Sequence, residues 1–215
     1  MANCSNAYGT VTLVGKWTPV MCQNLNALKS VWASWTYNIN IDEDFSTAQC
    51  SQSFCGIGRL SFHASLKSLD DWMCHEFETK PLLAVAYLSL TGDMERYDSQ
   101  IQFVYADEEA GCLYISTDEV TFAAENGHLV IKQSCEVAHN YTWENYLALD
   151  FGGEEQLAEL VDGLLKIFAL DKSKHDCCRG RVEEWVNENT LPHTTADSMD
   201  EEAIVKFSAA FTDLT

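Results

Sequence analysis

The sequence predicts an α+β fold, an antiparallel sheet with helices on one face, in which ferredoxin-like βαβ units precede a β-meander and C-terminal helices. A strand-helix-strand pattern occurs twice between residues 10 and 90, alternating apolar segments continue to residue 137, and helical periodicity fills the last third. We expect a sheet domain over residues 1–140 and a helical segment over 141–215 that packs on it. The chain of 215 residues is long enough for one large domain or two small ones.

The first strand-helix-strand unit begins with an alternating apolar segment that predicts a strand over residues 10–17. Thr18 and Pro19 are an N-cap and a proline suited to the first position of a helix. A second strand is expected over 37–41, and a loop rich in Ser, Gln and Gly over 45–56 follows it. The helix has one apolar stripe, which consists of Leu25, Leu28, Trp32 and Trp35.

The second strand-helix-strand segment repeats this pattern. Alternation from Gly58 to Leu66 predicts a strand, and Ser68 is a suitable cap for the next helix. Pro81 is expected to end that helix, and the apolar run 82–90 predicts a buried strand. The helix between the strands has an apolar stripe of Leu69, Trp72, Met73 and Phe77.

The rest of the chain predicts a meander followed by helices. The expected strands cover residues 100–106, 112–117, 120–124 and 128–137. The acidic loop 107–111 joins the first two, and Asn126-Gly127 between the last two is typical of a type I′ hairpin. A short helix is expected over 181–189 and a last one from near Ser198. The strongest helical stripe comprises Leu157, Leu160, Val161, Leu164, Leu165 and Phe168.

The chain is strongly acidic. Its 33 Asp and Glu residues outnumber 13 Lys and Arg residues, which gives a net charge of −20 and a pI of about 4.4. This balance argues against direct binding to nucleic acid or to an anionic membrane, because both require a basic surface. Residues 99–215 carry a net charge of −16, and within 97–165 Lys132 is the one base beside 14 acids. Apolar residues make up 47% of the chain, which excludes a disordered acidic tail.

The cysteines and the N-terminus indicate a cytoplasmic protein. The nine cysteines are odd in number and scattered, and the N-terminus has neither the basic nor the apolar region of a signal peptide, so we expect reduced thiols. The nearly apolar run 82–90 is far shorter than the roughly 20 residues of a membrane-spanning helix.

No motif marks an active site. Phosphate-binding loops, Rossmann fingerprints and hydrolase signatures are missing. The acidic pairs Asp70-Asp71 and Glu154-Glu155 lie at predicted helix N-termini, where the helix dipole accounts for them. The possible Cys/His ligand sets are loosely spaced: Cys50 with Cys55, Cys135 with His139, and His175 with Asp176, Cys177 and Cys178. We therefore expect no catalytic residues, no cofactor and no metal ion, with a Cys/His metal-binding protein or enzyme as an open alternative.

The N-terminal sequence resembles a protein family. Asn3-Cys4-Ser5-Asn6 and Val11-Thr12-Leu13-Val14-Gly15 are similar to the opening of an uncharacterised plasmid- and phage-borne family with a ferredoxin-like domain. The segment 60–90 fits the same strand-helix-strand arrangement. The chain departs from the family at residues 7–10, and it lacks the Trp that often precedes the Cys. The resemblance implies a ferredoxin-like fold and an accessory protein of a mobile genetic element, and it implies no catalytic residues.

The clustered acids predict a binding surface for a basic protein. We expect a non-enzymatic inhibitor that mimics DNA, in which carboxylates replace phosphates opposite a nucleic-acid-binding or defence protein, as in a phage or plasmid anti-defence factor. An immunity protein or antitoxin that blocks a toxic nuclease is one alternative, and a merely solubilising surface is another. The residues expected to contact the partner are Asp107, Glu108, Glu109, Asp118, Glu119, Glu125, Glu154, Glu155, Glu159 and Asp162.

Overall fold

A computed structural model describes residues 4–33, 37–149, 153–167 and 172–212. In the last two of these ranges, it describes the side chains of residues 153–166 and 178–212. The chain divides into two compact units, Met1–His139 and Asn140–Thr215. The elements of the first unit are β1 (Ser5–Val14), α1 (Pro19–Trp32), β2 (Asn38–Ile41), β3 (Ser51–Gly58), α2 (Phe62–Leu66), α3 (Leu69–Phe77), α4 (Pro81–Tyr97), β4 (Gln100–Glu109), β5 (Tyr114–Glu125) and β6 (His128–His139).

The first unit contains one six-stranded sheet in the order β2-β3-β1-β4-β5-β6, and all neighbouring strands are antiparallel. Strands β1 and β2 therefore run parallel to each other with β3 between them, and β3 and β4 run parallel with β1 between them. These are two interleaved split βαβ units, the ferredoxin-like arrangement. The α+β prediction is confirmed, and β5 and β6 extend the sheet as a meander.

The first strand and helix of the first unit were predicted, but the strand begins earlier than expected. Strand β1 begins at Ser5, five residues before the predicted strand. Helix α1 starts at Pro19 as expected, and the Thr18 hydroxyl accepts a hydrogen bond from the Met21 backbone N–H at 3.2 Å. The stripe residues Leu25, Leu28 and Trp32 are buried, and Trp35 lies outside the described residues.

The prediction of a strand over 58–66 was wrong. The strand lies earlier, at β3, in the segment assigned to a loop, and the chain then forms the short helix α2. The Ser61 hydroxyl caps α2 by accepting from the Ala64 N–H at 3.2 Å. Phe62 and Leu66 are buried, whereas Leu60 is 64% exposed. Residues four apart share one face of a helix, so the alternating pattern fitted both structures over this short segment.

The prediction of a strand over 82–90 was also wrong, because α4 is a helix of 17 residues. Pro81 occupies its first turn, where the missing N–H costs nothing, so this proline starts a helix rather than ending one. The buried residues of α4 follow helical spacing, and they are Tyr87, Leu90, Thr91 and Met94. Among the described residues no helix is both long enough and apolar enough to cross a membrane.

The meander consists of three long strands rather than four short ones. Strand β4 continues through the predicted acidic loop to Glu109, and a single 3₁₀ turn at Ala110–Cys112 connects it to β5. Strand β5 spans two of the predicted strands without a break. Asn126 and Gly127 have φ values of 53° and 82°, and the two positive values confirm the type I′ hairpin.

The second unit is helical, as the sequence predicted. It contains α5 (Trp143–Ala148), α6 (Gly153–Ile167), α7 (Lys172–Asn189) and α8 (Glu201–Ala210). The stripe on α6 is buried from Leu157 to Leu165, and Phe168 lies outside the described residues. Helix α7 starts nine residues before the expected helix over 181–189. Helix α8, expected from near Ser198, begins at Glu201 with Asp200 as its cap.

Two glycines provide a test of the fold. Gly92 lies exposed inside α4, and an added Cβ there meets no atom within 4 Å. Gly92→Ala is therefore expected to raise the free energy of unfolding by about 0.5–1 kcal/mol, since alanine is the better helix former. Gly9 lies in β1, and an added Cβ would be 2.6 Å from the Tyr105 Cα. Gly9→Ala is expected to cost about 1–3 kcal/mol or more.

Urea denaturation of both variants tests this pair. Equal effects of the two substitutions would contradict the close approach of β1 to β4, because only Gly9 faces backbone atoms of a neighbouring strand.

Candidate functional site

Three of the ten acids expected on a docking surface are buried. Asp107, Glu108 and Asp118 are 0%, 2% and 4% exposed. A partner protein cannot reach carboxylates at this depth, so their assignment to the docking surface was wrong. Asp107 and Asp118 instead lie on the covered face of the sheet, on β4 and β5.

The other three predicted docking acids of the first unit are only partly accessible to a partner protein. Glu119 is half-buried and accepts a hydrogen bond from the Gln102 side-chain amide at 2.9 Å. Glu125 is exposed and forms an ion pair with Lys132, and Glu109 is half-buried at the end of β4. These three side chains do not form a continuous exposed acidic surface.

The four predicted docking acids that belong to the second unit all lie on α6 and are exposed. Asp162 forms an ion pair of 2.5 Å with Arg179. No described cation lies within ion-pair distance of Glu154, Glu155 or Glu159. The exposed part of the predicted acidic set is therefore concentrated on one helix.

The buried Asp107 anchors α2 to the sheet. Its Oδ1 accepts a hydrogen bond from the Ser5 hydroxyl at 2.5 Å, and its Oδ2 accepts one from the Phe62 N–H at 2.7 Å. The Ser5 hydroxyl also lies 2.7 Å from the Tyr37 hydroxyl. Burial raises the pKa of Asp107 to about 6, although the hydrogen bonds from Ser5 and Phe62 favour its charged form.

A second group of polar side chains crosses three neighbouring strands. Tyr105, Asp118 and Glu136 are register partners on β4, β5 and β6, so their side chains share one face of the sheet. The Ser116 hydroxyl donates to Asp118 Oδ2 at 2.6 Å. Burial raises the pKa of Asp118 to about 7. The Tyr114 hydroxyl donates to the Glu136 carboxylate.

His63 extends from α2 toward this row of side chains. Its Nε2 lies 3.2 Å from the Ser134 hydroxyl, and its Nδ1 lies 3.9 Å from Asp118 Oδ1, which is too far for a hydrogen bond. The side chain is buried, and burial lowers the pKa of His63, so the imidazole is neutral near pH 7. We call His63, Asp118 and Glu136 the His63 cluster.

The His63 cluster leaves buried polar atoms unsatisfied. His63 Nδ1, Asp118 Oδ1 and the Tyr105 hydroxyl are buried and have no hydrogen-bond partner among the described residues. Such atoms are uncommon in folded proteins, because an unpaired buried polar group costs free energy. One ligand atom from each of His63, Asp118 and Glu136 lies within 4.8 Å of the others. This arrangement is suited to holding a cation.

The order of Ser134, His63 and Asp118 also resembles a catalytic triad. A triad requires a hydrogen bond from the imidazole to an ionised carboxylate, which orients the ring. The 3.9 Å separation does not provide that bond, and burial raises the pKa of Asp118 to about 7. The geometry therefore does not favour nucleophilic catalysis.

A different cluster joins α3 to β6. Asp70 Oδ2 lies 3.0 Å from His128 Nδ1, and Cys74 Sγ lies 3.9 Å from that nitrogen. Asp70 Oδ1 accepts from the Leu129 N–H at 2.8 Å and from the Tyr87 hydroxyl. Burial raises the pKa of the Cys74 thiol. Because these groups satisfy one another, the cluster acts as a structural link.

No sequence pattern indicates His63 or His128 as site residues. Asp118 lies 55 positions from His63 in the chain, and Asp70 lies 58 positions from His128, so no local spacing indicates either pair. Of the loose Cys/His sets, His139 contacts the Thr117 hydroxyl at 2.9 Å, and Cys135 is exposed. The side chains at 175–177 lie outside the described residues.

Comparisons with protein-family models, with curated proteins and with solved structures found no match to this chain. Its function must therefore be inferred from the chemistry of these side chains.

Proposed function

We propose that this protein is an acidic interaction protein that inhibits a basic, nucleic-acid-binding partner by DNA mimicry. The observation that supports the proposal is the exposure of Glu154, Glu155 and Glu159 on α6. The unit Asn140–Thr215 contains 16 acidic and 6 basic residues, a net charge of −10. The first unit has the same net charge spread over almost twice as many residues, so the second unit has the stronger field.

Helix stability does not account for Glu159 on α6. Glu155 and Glu159 are four residues apart, and like charges at this spacing destabilise a helix by about 0.2–0.5 kcal/mol. The helix dipole favours Glu154 and Glu155 in the first turn, but Glu159 lies beyond that turn. A binding role accounts for a charge pattern that helix stability does not require.

A groove beside α6 provides room for a basic side chain. It has a volume of about 510 Å³ and lies between α6 and residues 193–197 of the same unit. Glu159 and Asp197 both line it, and Lys166 lines it as well. A lysine or arginine of a partner would find two carboxylates there, while Lys166 restricts how much positive charge the groove accepts.

The proposed partner is a protein with a groove for nucleic acid, since such grooves combine many basic side chains. Carboxylates on a rigid helix would occupy that groove and steer association, and the resulting affinity would fall as salt rises. We propose that the protein acts in the cytoplasm as an anti-defence factor of a phage or plasmid.

Charge reversal on α6 tests the proposal. The triple variant Glu154→Lys, Glu155→Lys, Glu159→Lys is expected to reduce partner capture from host lysate at low salt at least tenfold, through loss of electrostatic steering. Duplex DNA is expected to displace the wild-type protein from the captured partner. Mass spectrometry identifies the partner, and binding is measured at low and high salt.

The matched control reverses Glu184, Glu201 and Glu202. These exposed residues change the net charge equally, and Glu201 and Glu202 also occupy a first helical turn, that of α8. The control is expected to retain capture. Equal losses in both variants would indicate a non-specific charge effect, and an unchanged α6 variant would show that these acids are not the binding surface. Either result overturns the proposal.

A further inference from the structure

We propose that the His63 cluster binds a divalent transition-metal ion, with Zn²⁺ as the preferred ion. Two of its ligand atoms, His63 Nδ1 and Asp118 Oδ1, are buried without a hydrogen-bond partner in the described part of the chain. The Glu136 carboxylate completes a set whose ligand atoms lie within 4.8 Å of one another. A cation between them would satisfy both buried atoms at once.

Hydroxyl groups hold each of the three ligands from behind. Ser134 contacts His63 Nε2 at 3.2 Å, Ser116 donates to Asp118 Oδ2 at 2.6 Å, and Tyr114 donates to Glu136 Oε1. Metal-binding histidines and carboxylates characteristically use their second polar atom in this way, which orients the first toward the ion. The hydroxyls therefore fix the far atoms and leave one atom of each ligand for the centre.

The separation of the two buried ligand atoms is wider than the tetrahedral value but within the span of one zinc ion. Bonds of about 2.1 Å to nitrogen and oxygen place two ligand atoms about 3.4 Å apart at a tetrahedral angle and about 4 Å apart at wider angles. His63 Nδ1 and Asp118 Oδ1 are 3.9 Å apart. One imidazole nitrogen among the ligands favours Zn²⁺ over Mg²⁺ or Ca²⁺, which prefer oxygen alone.

Three protein ligands leave a fourth position open on a tetrahedral ion, as in zinc sites that bind a water molecule. The Tyr105 hydroxyl is likewise buried without a hydrogen-bond partner among the residues that the structure describes, and Tyr105 is the register partner of Asp118. A metal-bound water would give this hydroxyl a hydrogen-bond partner. One bound ion and its water would thus satisfy all three of these buried atoms, which lack partners in the described part of the chain.

The position of His63 is fixed by its neighbours. The adjacent Phe62 donates its backbone N–H to Asp107 and is fully buried, and Ser61 caps the helix. The ligands therefore come from α2, β5 and β6, which are all regular elements. A site on regular elements keeps its geometry better than one built on loops.

Zinc titration of the full chain under reducing conditions tests the proposal. We expect one tightly bound Zn²⁺ per chain by calorimetry and elemental analysis, and its loss in His63→Ala and Asp118→Asn. Ser134→Ala and Ser116→Ala are expected to weaken binding about 10–100-fold, because they remove groups that orient the ligands. Ser134 is exposed, so its variant tests the site even if the others fail to fold.

The nine cysteines require a control for thiolate binding. Co²⁺ added in place of Zn²⁺ should give the spectrum of nitrogen and oxygen ligands without a thiolate charge-transfer band, and Cys74→Ser and His128→Ala should bind zinc as the wild type does. The proposal is overturned if binding follows Cys74 and His128, if the thiolate band appears, if Ser134→Ala has no effect, or if the wild type binds no zinc.

Discussion

Replacing Phe62 with alanine is expected to lower the free energy of unfolding of the first unit by about 3–5 kcal/mol. The Phe62 side chain is fully buried, and its ring centroid lies 4.7 Å from that of Tyr105 and 4.8 Å from that of Tyr37. Removing the ring eliminates these contacts and leaves a cavity under α2 that a five-residue helix cannot fill by moving. The same change loosens the attachment of His63.

Two further variants separate the cavity effect from a general effect on α2. Phe62→Leu keeps most of the volume, so we expect a clearly smaller loss than for alanine. Leu60→Ala lies two residues away at a side chain that is 64% exposed, and it should change stability by less than about 0.5 kcal/mol. Urea denaturation measures all three. A Phe62→Ala loss as small as that of Leu60→Ala would contradict the position of α2 against the sheet.

The first βαβ unit was predictable because the sequence marks its elements. Thr18-Pro19 starts α1, and the strands β1 and β2 alternate clearly. The strands of the second βαβ unit were not predicted correctly. They are β3 and β4, whereas the segments 58–66 and 82–90 that were expected to form them lie largely in α2 and α4. Pro81 suits the first turn of a helix as well as the end of one, so the apolar run after it did not distinguish strand from helix.

The burial of Asp107 and Asp118 had a signal in the sequence. Ile101, Phe103 and Tyr105 are buried at alternate positions of β4, and extending the alternation by two residues places Asp107 on the covered face. On β5, Asp118 lies two residues before the buried Val120 and therefore on the same covered face. Closeness in the chain, on which the predicted acidic surface was based, does not separate the two faces of a strand.

The partners of His63 had no comparable signal. They come from β5 and β6, and the sequence gives no indication that α2 covers these strands, because the segment 58–66 fits a strand equally well. Only the sheet order and the register of β4, β5 and β6 bring Tyr105, Asp118 and Glu136 into one row. Long-range pairing of this kind depends on the whole fold.

The stability of the first unit is expected to fall as the pH rises from about 4 to above 6, because of Asp107. Burial raises the pKa of Asp107 from 3.8 to about 6 in the folded protein. Between these values the folded state retains a proton that the unfolded state releases, so raising the pH favours unfolding. At about 1.4 kcal/mol per pKa unit, the loss is about 3 kcal/mol, complete once the pH exceeds the folded pKa.

Two substitutions distinguish Asp107 from the other carboxyl groups of the sheet. Asp107→Asn removes the titrating group, so the pH dependence should become shallower, although the Phe62 N–H loses a charged acceptor. Ser5→Ala removes a hydrogen bond that favours the charged form, so it should raise the pKa of Asp107 further and steepen the dependence. Urea denaturation between pH 4 and pH 7 measures both. The raised pKa of Asp118 contributes to the pH dependence in the same direction. The quantity to compare is therefore the difference in the free energy of unfolding between each variant and the wild type. If that difference did not change with pH for Asp107→Asn, this carboxyl would not titrate as its burial requires.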